Sequence, residues 1–197
     1  MNLPVVIVFA RIPRLGVGKR RLAREVGDRK ALNFSRTALH RLLRRVRRLR
    51  GVECVLALSP DHHARLRAPG FTKISQGQGD LGQRMQRAIH RYPRRRVVLI
   101  GSDIPGISTR DLRNALHNLR GYNAVFGPAA DGGYWLAGMA GTRPERAFSN
   151  VRWSSPHALA DTLHNFSKQR TKLLRMLDDV DDAASLTLHM HKAYSHA

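Results

Sequence analysis

Short apolar runs alternate with helix-patterned stretches along nearly the whole chain, and that alternation limits the fold more than any single residue does. Strand-like runs fall at 4–10, 52–59, 96–102, 123–127 and 133–139, with weaker ones near 71–75 and 172–177. Helix-like segments fall at 29–50, 80–92, 109–120, 156–168 and 183–195. The strands are near-continuous aliphatic runs, the pattern of strands covered on both faces. Helices between such strands predict an α/β protein with a largely parallel sheet. Helix starts carry their own signals. Asp28 and Asp80 can cap, Ser108-x-x-Asp111 has the form of a capping box, and Ser155-Pro156 places a cap before a first-turn proline. Neither a repeat nor a low-complexity linker divides the chain, so residues 1–197 read as one domain.

No apolar run approaches the roughly 20 residues of a membrane span. The apolar start, Leu3 to Ala10, lacks a basic leader and opens on Pro4, so it reads as a first strand rather than a signal peptide. Cys54, in a strand-like run, reads as a small buried hydrophobe, and the cysteine usage fits the cytoplasm. Charge is the loudest compositional signal: 35 Lys and Arg against 14 Asp and Glu, a formal net charge of +21. It favours anionic partners such as nucleotides, phosphosugars, nucleic acid or acidic lipid. In 29–50, Leu39, Leu42, Leu43, Val46 and Leu49 form an apolar stripe, and Arg41, Arg44, Arg45, Arg47, Arg48 and Arg50 fill much of the rest. That arrangement is a solvated helix face first; it lacks the interleaved aromatics that stack on nucleic acid.

In so basic a chain an acid at a strand end stands out. Arg96-Val97-Val98-Leu99-Ile100-Gly101-Ser102-Asp103 reads as a buried strand that stops at Asp103, before Pro105-Gly106. Open α/β sheets bind ligands at the carboxyl ends of their strands, so Asp103 is a candidate metal ligand beside a phosphorylated group. The loop after the first strand, Arg11 to Arg21, holds Gly16, Gly18 and dense positive charge ahead of a helix. Glycines admit close backbone approach, helix-start amides favour anions, and Arg11, Lys19 and Arg21 supply charge for phosphate oxygens. The Walker A pattern is absent, since Arg20 stands where Ser or Thr is required.

Three further segments carry chemistry. Gln76-Gly77-Gln78-Gly79-Asp80-Leu81-Gly82-Gln83-Arg84 is a glycine-rich entry to a helix, with Asp80 as its cap. Gly127-Pro128 leads through Asp131-Gly132-Gly133, a turn sequence, to Tyr134 and Trp135, aromatics suited to a sugar or base face. Asp178-Asp179-Val180-Asp181-Asp182 concentrates acids near the end of the chain. Mg²⁺ typically shares one or two carboxylates with substrate phosphates, and Asp103 with one acid of this cluster would provide them; the cluster also suits a helix start. His62-His63 and His189-x-His191 lack zinc spacing, and no nucleophile elbow is present.

Taken in order, these segments resemble a bacterial family of GT-A-fold glycosyltransferase-like proteins associated with radical-SAM and selenium-related genes. The shared pieces are Phe9-Ala10-Arg11-x-Pro13 through Lys19, Gln76 through Met85, Gly101-Ser102-Asp103-x-Pro105, Gly127-Pro128 through Tyr134, Trp153-Ser154-Ser155 and Asp179-x-Asp181. The fold is similar to that of molybdenum-cofactor and 2-phospholactate guanylyltransferases. The resemblance implies a three-layer α/β/α, Rossmann-like nucleotide-diphospho-sugar transferase fold. It implies that Ala10, Arg11, Pro13, Gly16, Lys19 and Arg21 hold nucleotide phosphates, and that Gln76, Gly79, Asp80, Leu81 and Arg84 line base and ribose. Asp103 with Asp179 or Asp181 would ligate Mg²⁺ or Mn²⁺, and Gly132, Gly133, Tyr134 and Trp153 would face the acceptor. The chain departs from the pattern at Arg11 (usually Lys), Arg20 (Thr), Gln83 (Glu), Asp182 (Thr) and Ser185 (an acid).

The expectation is a metal-dependent transferase using a nucleotide-activated substrate, foremost a nucleotide-sugar glycosyltransferase. Arg11 and Lys19 would stabilise charge as the bond breaks, and Asp131 is the leading choice for a general base. Nucleotidyl transfer from an NTP to a phosphorylated acceptor is the closest rival. A basic nucleic-acid-binding module and a regulatory nucleotide-binding pseudoenzyme are rivals of other classes.

Overall fold

In a computed structural model, residues 2–60, 66–177, 180, 182, 184 and 187 are described. The elements run β1 (Val5–Arg11), α1 (Arg20–Val26), α2 (Asp28–Arg47), β2 (Glu53–Ser59), β3 (Thr72–Ser75), α3 (Leu81–His90), β4 (Val97–Gly101), α4 (Thr109–Asn118), β5 (Ala124–Pro128), β6 (Tyr134–Met139), α5 (Ala158–His164) and β7 (Thr171–Leu173). The seven strands form one sheet in the order β3-β2-β1-β4-β6-β5-β7. All pairs are parallel except those made by β6, which runs antiparallel to both β4 and β5. The mostly parallel α/β sheet predicted from the apolar runs is therefore the observed fold.

Side chains alternate along β1 and feed two cores. Val6, Val8 and Ala10 pack with Leu39, Leu42 and Val46 of α2 and Leu112 and Ala115 of α4. Val5 and Ile7 pack with Met85, Ala88 and Ile89 of α3 and with Phe126 and Phe166. Helices thus cover both faces of the sheet, which is why its strands read as unbroken apolar runs. The predicted cap at Asp80 forms, as half of a capping box that its sequence reading did not include, and so does the predicted box at Ser108. Asp80 accepts from the Gln83 N–H at 2.8 Å, and Gln83 Oε1 accepts from the Asp80 N–H at 3.1 Å. Gln83 thereby does the capping work that the family's glutamate would do. Ser108 and Asp111 form the second box, at the start of α4.

Some local expectations are corrected. The predicted cap at Ser155, with Pro156 as the first helical residue, gives way to a turn, and α5 begins at Ala158. In that turn the Ser155 carbonyl accepts from Ala158 and its hydroxyl donates to the Arg152 carbonyl, which delays the helix. Asp28 lies in the first turn of α2 rather than at its cap. Arg45 is not part of the solvated arginine face: its Nη1 donates to the Pro105 carbonyl at 2.7 Å, and burial, with Arg41 nearby, lowers its pKa. Among the described residues no helix is long and apolar enough to cross a membrane. Asp178, Asp179, Asp181, Ser185, the four histidines checked for zinc and most of the predicted helix 183–195 lie outside the described residues.

Candidate active site

β1 has β2 on one side and β4 on the other, so connections leave it in opposite directions and open a crevice at the strands' carboxyl ends. A cleft of about 590 Å³ occupies that place. Its floor is Phe9 and Arg11 from the end of β1, Ser59 from β2, and Gly101, Ser102 and Asp103 from the end of β4. One wall is Gln76, Leu81, Arg84 and Met85; the other is Asp131, Gly133, Tyr134, Trp153, Ser154 and Ser155. Segments far apart in the chain therefore meet in one concavity, as their resemblance implies.

Asp103 is the acid of the floor. Its side chain is 64% exposed, and Lys19 Nζ lies 3.8 Å from its Oδ2. The Ser102 hydroxyl donates to Oδ1 at 3.2 Å, and Arg45 ties down the carbonyl of Pro105, so the turn carrying the carboxylate is held at both ends. Lys19 comes from the opposite side, out of the loop after β1. Its backbone is left-handed at φ 43°, and only 7% of its side chain is exposed. A non-glycine residue in that conformation costs energy, and here it turns the ammonium inward.

Gln76 has a different part from the one its motif suggests. It is buried, and its Nε2 donates to the carbonyls of Ala10 at 3.1 Å and Ala57 at 3.0 Å. The amide thus clamps the ends of β1 and β2, and its Oε1 accepts from Arg84 Nη1 at 3.4 Å. Arg84 is held a second time through Nε to the Asp80 carbonyl at 3.2 Å. Gly79 and Asp80 serve the α3 cap and stand outside the cleft lining, as do Ala10, Pro13, Gly16, Arg21 and Gly132.

The wall built from the β5–β6 hairpin and the turn before α5 is one fitted piece. Asp131 Oδ1 accepts from the Gly133 N–H at 2.8 Å, closing the tip of the β5–β6 hairpin. At Gly132 (φ +82°) a β-carbon would meet the Pro156 carbonyl oxygen at 2.2 Å, so only glycine lets the tip reach the α5 turn. The Leu159 N–H donates to the Gly132 carbonyl at 2.9 Å. Arg152 grips Asp161 through its backbone N–H at 3.0 Å, Nε at 2.9 Å and Nη2 at 2.8 Å. Those hydrogen bonds from Arg152 hold the Asp161 carboxyl well below the usual carboxylate range. Between these anchors Trp153 stands edge-on to Tyr134, with centroids 6.4 Å apart. Burial pushes the Tyr134 phenol far up, so it stays protonated, 3.4 Å from the Thr162 hydroxyl.

Chemically, the cleft offers the cations Arg11 and Arg84, a carboxylate on its floor with Lys19 beside it though outside the lining, and an aromatic wall. Asp103 suits a hard divalent cation, which takes carboxylate oxygen and shares its sphere with phosphate. Among the described residues no group of three or more His, Cys, Asp or Glu converges. The second ligand expected from sequence, Asp179 or Asp181, is not described. Sequence reading missed Phe9, Ser59, Ser102, Met85, Ser154 and Ser155 as lining residues. Ser59 was findable in principle, since it ends β2 in register with Arg11.

Residues 42–155, more than half of the chain, match the family described as "Uncharacterized protein conserved in bacteria (DUF2064)". The chain belongs to this family. No curated protein matches it. Among solved structures it is similar to a candidate nucleotide-diphospho-sugar transferase from Desulfovibrio desulfuricans G20, with 28% identity, a TM-score of 0.89, and coverage of 96% of this chain and 87% of that one. It also resembles CMP:2-keto-3-deoxy-manno-octonic acid synthetase complexed with CTP, with 15% identity, a TM-score of 0.65 and full coverage (100% of each chain). A manganese complex of Rv0371c from Mycobacterium tuberculosis H37Rv matches at 17% identity and a TM-score of 0.59, covering 94% of this chain and 97% of that one. The last two show the fold alone.

Proposed function

We propose that this family member is a metal-dependent transferase acting on a nucleotide-activated substrate, with glycosyl transfer from a nucleotide sugar as its reaction. The observation that carries the reading is the meeting of Arg11, Arg84, Asp103, Asp131 and Trp153 in one cleft at the switch point of the sheet. The cations would bind the nucleotide's phosphates, and Lys19, held beside Asp103, would stabilise negative charge on the departing diphosphate. Asp103 would hold Mg²⁺ or Mn²⁺, with Asp179 or Asp181 completing the set, and the bound ion would neutralise the leaving group. Asp131, tethered at the hairpin tip, would take the acceptor's proton, and Trp153 with Tyr134 would line the acceptor side. The likeness to the Desulfovibrio protein supports the nucleotide-sugar reading.

Nucleotidyl transfer is the second reading. The cationic loop after β1 favours it, because it suits a triphosphate, and the fold is shared with CMP:2-keto-3-deoxy-manno-octonic acid synthetase and with a cytidylyltransferase from Thermus thermophilus. The closer kinship with radical-SAM-associated glycosyltransferase-like proteins and guanylyltransferases rests on motif order. The reading takes the chain as one transferase domain working in the cytoplasm.

A thermal-shift panel of NTPs and nucleotide sugars, with and without Mn²⁺, tests the proposal, since a ligand of the folded state raises the melting temperature by mass action. No shift with any nucleotide in the presence of metal refutes it. With a responding nucleotide and an acceptor, nucleoside-diphosphate release marks glycosyl transfer and pyrophosphate release marks nucleotidyl transfer.

A further inference from the structure

The loop after β1 carries a tight turn that stands outside the cleft lining. Arg14 and Val17 form an isolated antiparallel bridge, and the Val17 N–H donates to the Arg14 carbonyl at 3.2 Å. Gly16, at φ +71°, lets the chain close this tight turn. The turn holds Leu15 57% exposed and Val17 47% exposed. Neither side chain lines the cleft. Among the described residues the exposed large apolar side chains are Leu3, Leu15, Val17, Leu173 and Met176, and only Leu15 and Val17 share one turn.

The flanking chain is cationic. Arg14, Arg20, Arg21 and Arg24 are exposed, and the first acid of the chain is Glu25, at the far end of α1. An aliphatic tip flanked along the chain by arginines has two complementary affinities. The side chains gain by leaving water for the headgroup–acyl boundary, and each nearby cation gains from an anionic surface. Nucleic acid offers nothing to the tip: single strands are held by aromatic stacking, and residues 12–27 include no aromatic. We propose that the Arg14–Val17 turn docks this protein onto an anionic bilayer surface, with Leu15 and Val17 among the lipid headgroups and the arginines on their phosphates. The turn ends two residues before Lys19, whose ammonium lies 3.8 Å from Asp103. Docking therefore sets the mouth of the cleft beside the membrane. The proposal goes beyond the transferase reading and stands independently of it.

Flotation of the full chain with phosphatidylglycerol–phosphatidylcholine vesicles tests it, with pure phosphatidylcholine as control. The expected result is binding to the anionic vesicles only. In L15S/V17S that binding weakens about tenfold, and in R20Q/R24Q about thirtyfold, at roughly 1 kcal/mol per cation. L15W supplies a second reading. Its emission, read as the difference from the wild type with its native Trp135 and Trp153, moves to the blue on vesicles and is quenched by brominated lipid. A far-UV circular dichroism spectrum and a melting temperature unchanged in L15S/V17S confirm that the variant folds; if it does not fold, L15W quenching decides. Vesicle binding that is equal in wild type and L15S/V17S, absence of quenching in L15W, or tighter binding to a single-stranded RNA oligonucleotide than to the anionic vesicles overturns the proposal.

Discussion

Asp103 and Asp111 bracket the turn between β4 and α4, yet the fold treats them in opposite ways. Asp103 projects into the cleft, mostly exposed, with Lys19 as a loose partner at 3.8 Å. Asp111 is buried and saturated. It accepts from Arg175 Nε and Nη2, each at 2.6 Å, and from the N–H and hydroxyl of Ser108 at 2.8 and 2.6 Å. Burial pushes the Asp111 carboxyl up, but the hydrogen bonds from Arg175 and Ser108 outweigh it and hold it below the usual carboxylate range. An acid with every lone pair engaged stabilises a structure; an acid left open beside cations is available for a ligand. The difference separates chemistry from scaffold within one turn of chain.

The comparison makes graded predictions. Replacing Asp103 by Asn should cost about a thousandfold in turnover, roughly 4 kcal/mol of transition-state stabilisation, with the melting temperature nearly unchanged. Steady-state kinetics beside a thermal melt checks both halves, and a D103N protein that melts early while keeping its turnover would reverse the assignment. Lys19→Met should cost about a hundredfold in turnover, the usual loss for one preorganised charge. Asp111→Ala removes a cap and a charge-assisted pair, so about 2 kcal/mol of stability should go, lowering the melting temperature by about 6 °C. Turnover per folded molecule should stay within about twofold, because Asp111 does not line the cleft.

Acid should single out the same residue. The folded-state pKa of Asp111 is depressed, so its contribution is fully present above the ordinary carboxylate range, about pH 4, and disappears as pH falls through the lower folded value. Melting curves between about pH 5 and pH 2 should therefore converge for wild type and D111A. The smallest effect belongs to Gln83→Ala, where an exposed capping contact is worth about 0.5 kcal/mol.

Local signals were legible, and long-range pairings were not. Apolar runs announced the central strands, and Asp80 as a cap and the Ser108–Asp111 spacing announced real helix starts, because each signal is local in the chain. Arg175 reaching Asp111 from the far end of the sheet left no trace in either neighbourhood. Gln76 shows the same limit: its motif marks it for the cleft, which it lines, but the hydrogen bonds of its amide to the carbonyls of two strands arise only on folding. Ser155-Pro156 carried a valid local signal that was overridden when the hairpin tip packed against the Pro156 carbonyl. In the cleft, the order of motifs identified the contributing segments, while which motif residues line it, and which, such as Gly79, Asp80 and Gly132, stand outside the lining, became distinguishable only in three dimensions.

The tight join of Gly132 to the α5 turn also shapes how this protein can diverge. Arg84 of α3 is tied through Gln76 to the end of β1, so a replacement at one is felt at the other. The opposite wall is interlocked too, hairpin against turn and Arg152 against Asp161. Under the proposed reading, a lineage should change what this cleft accepts in a few coordinated steps and not by gradual drift.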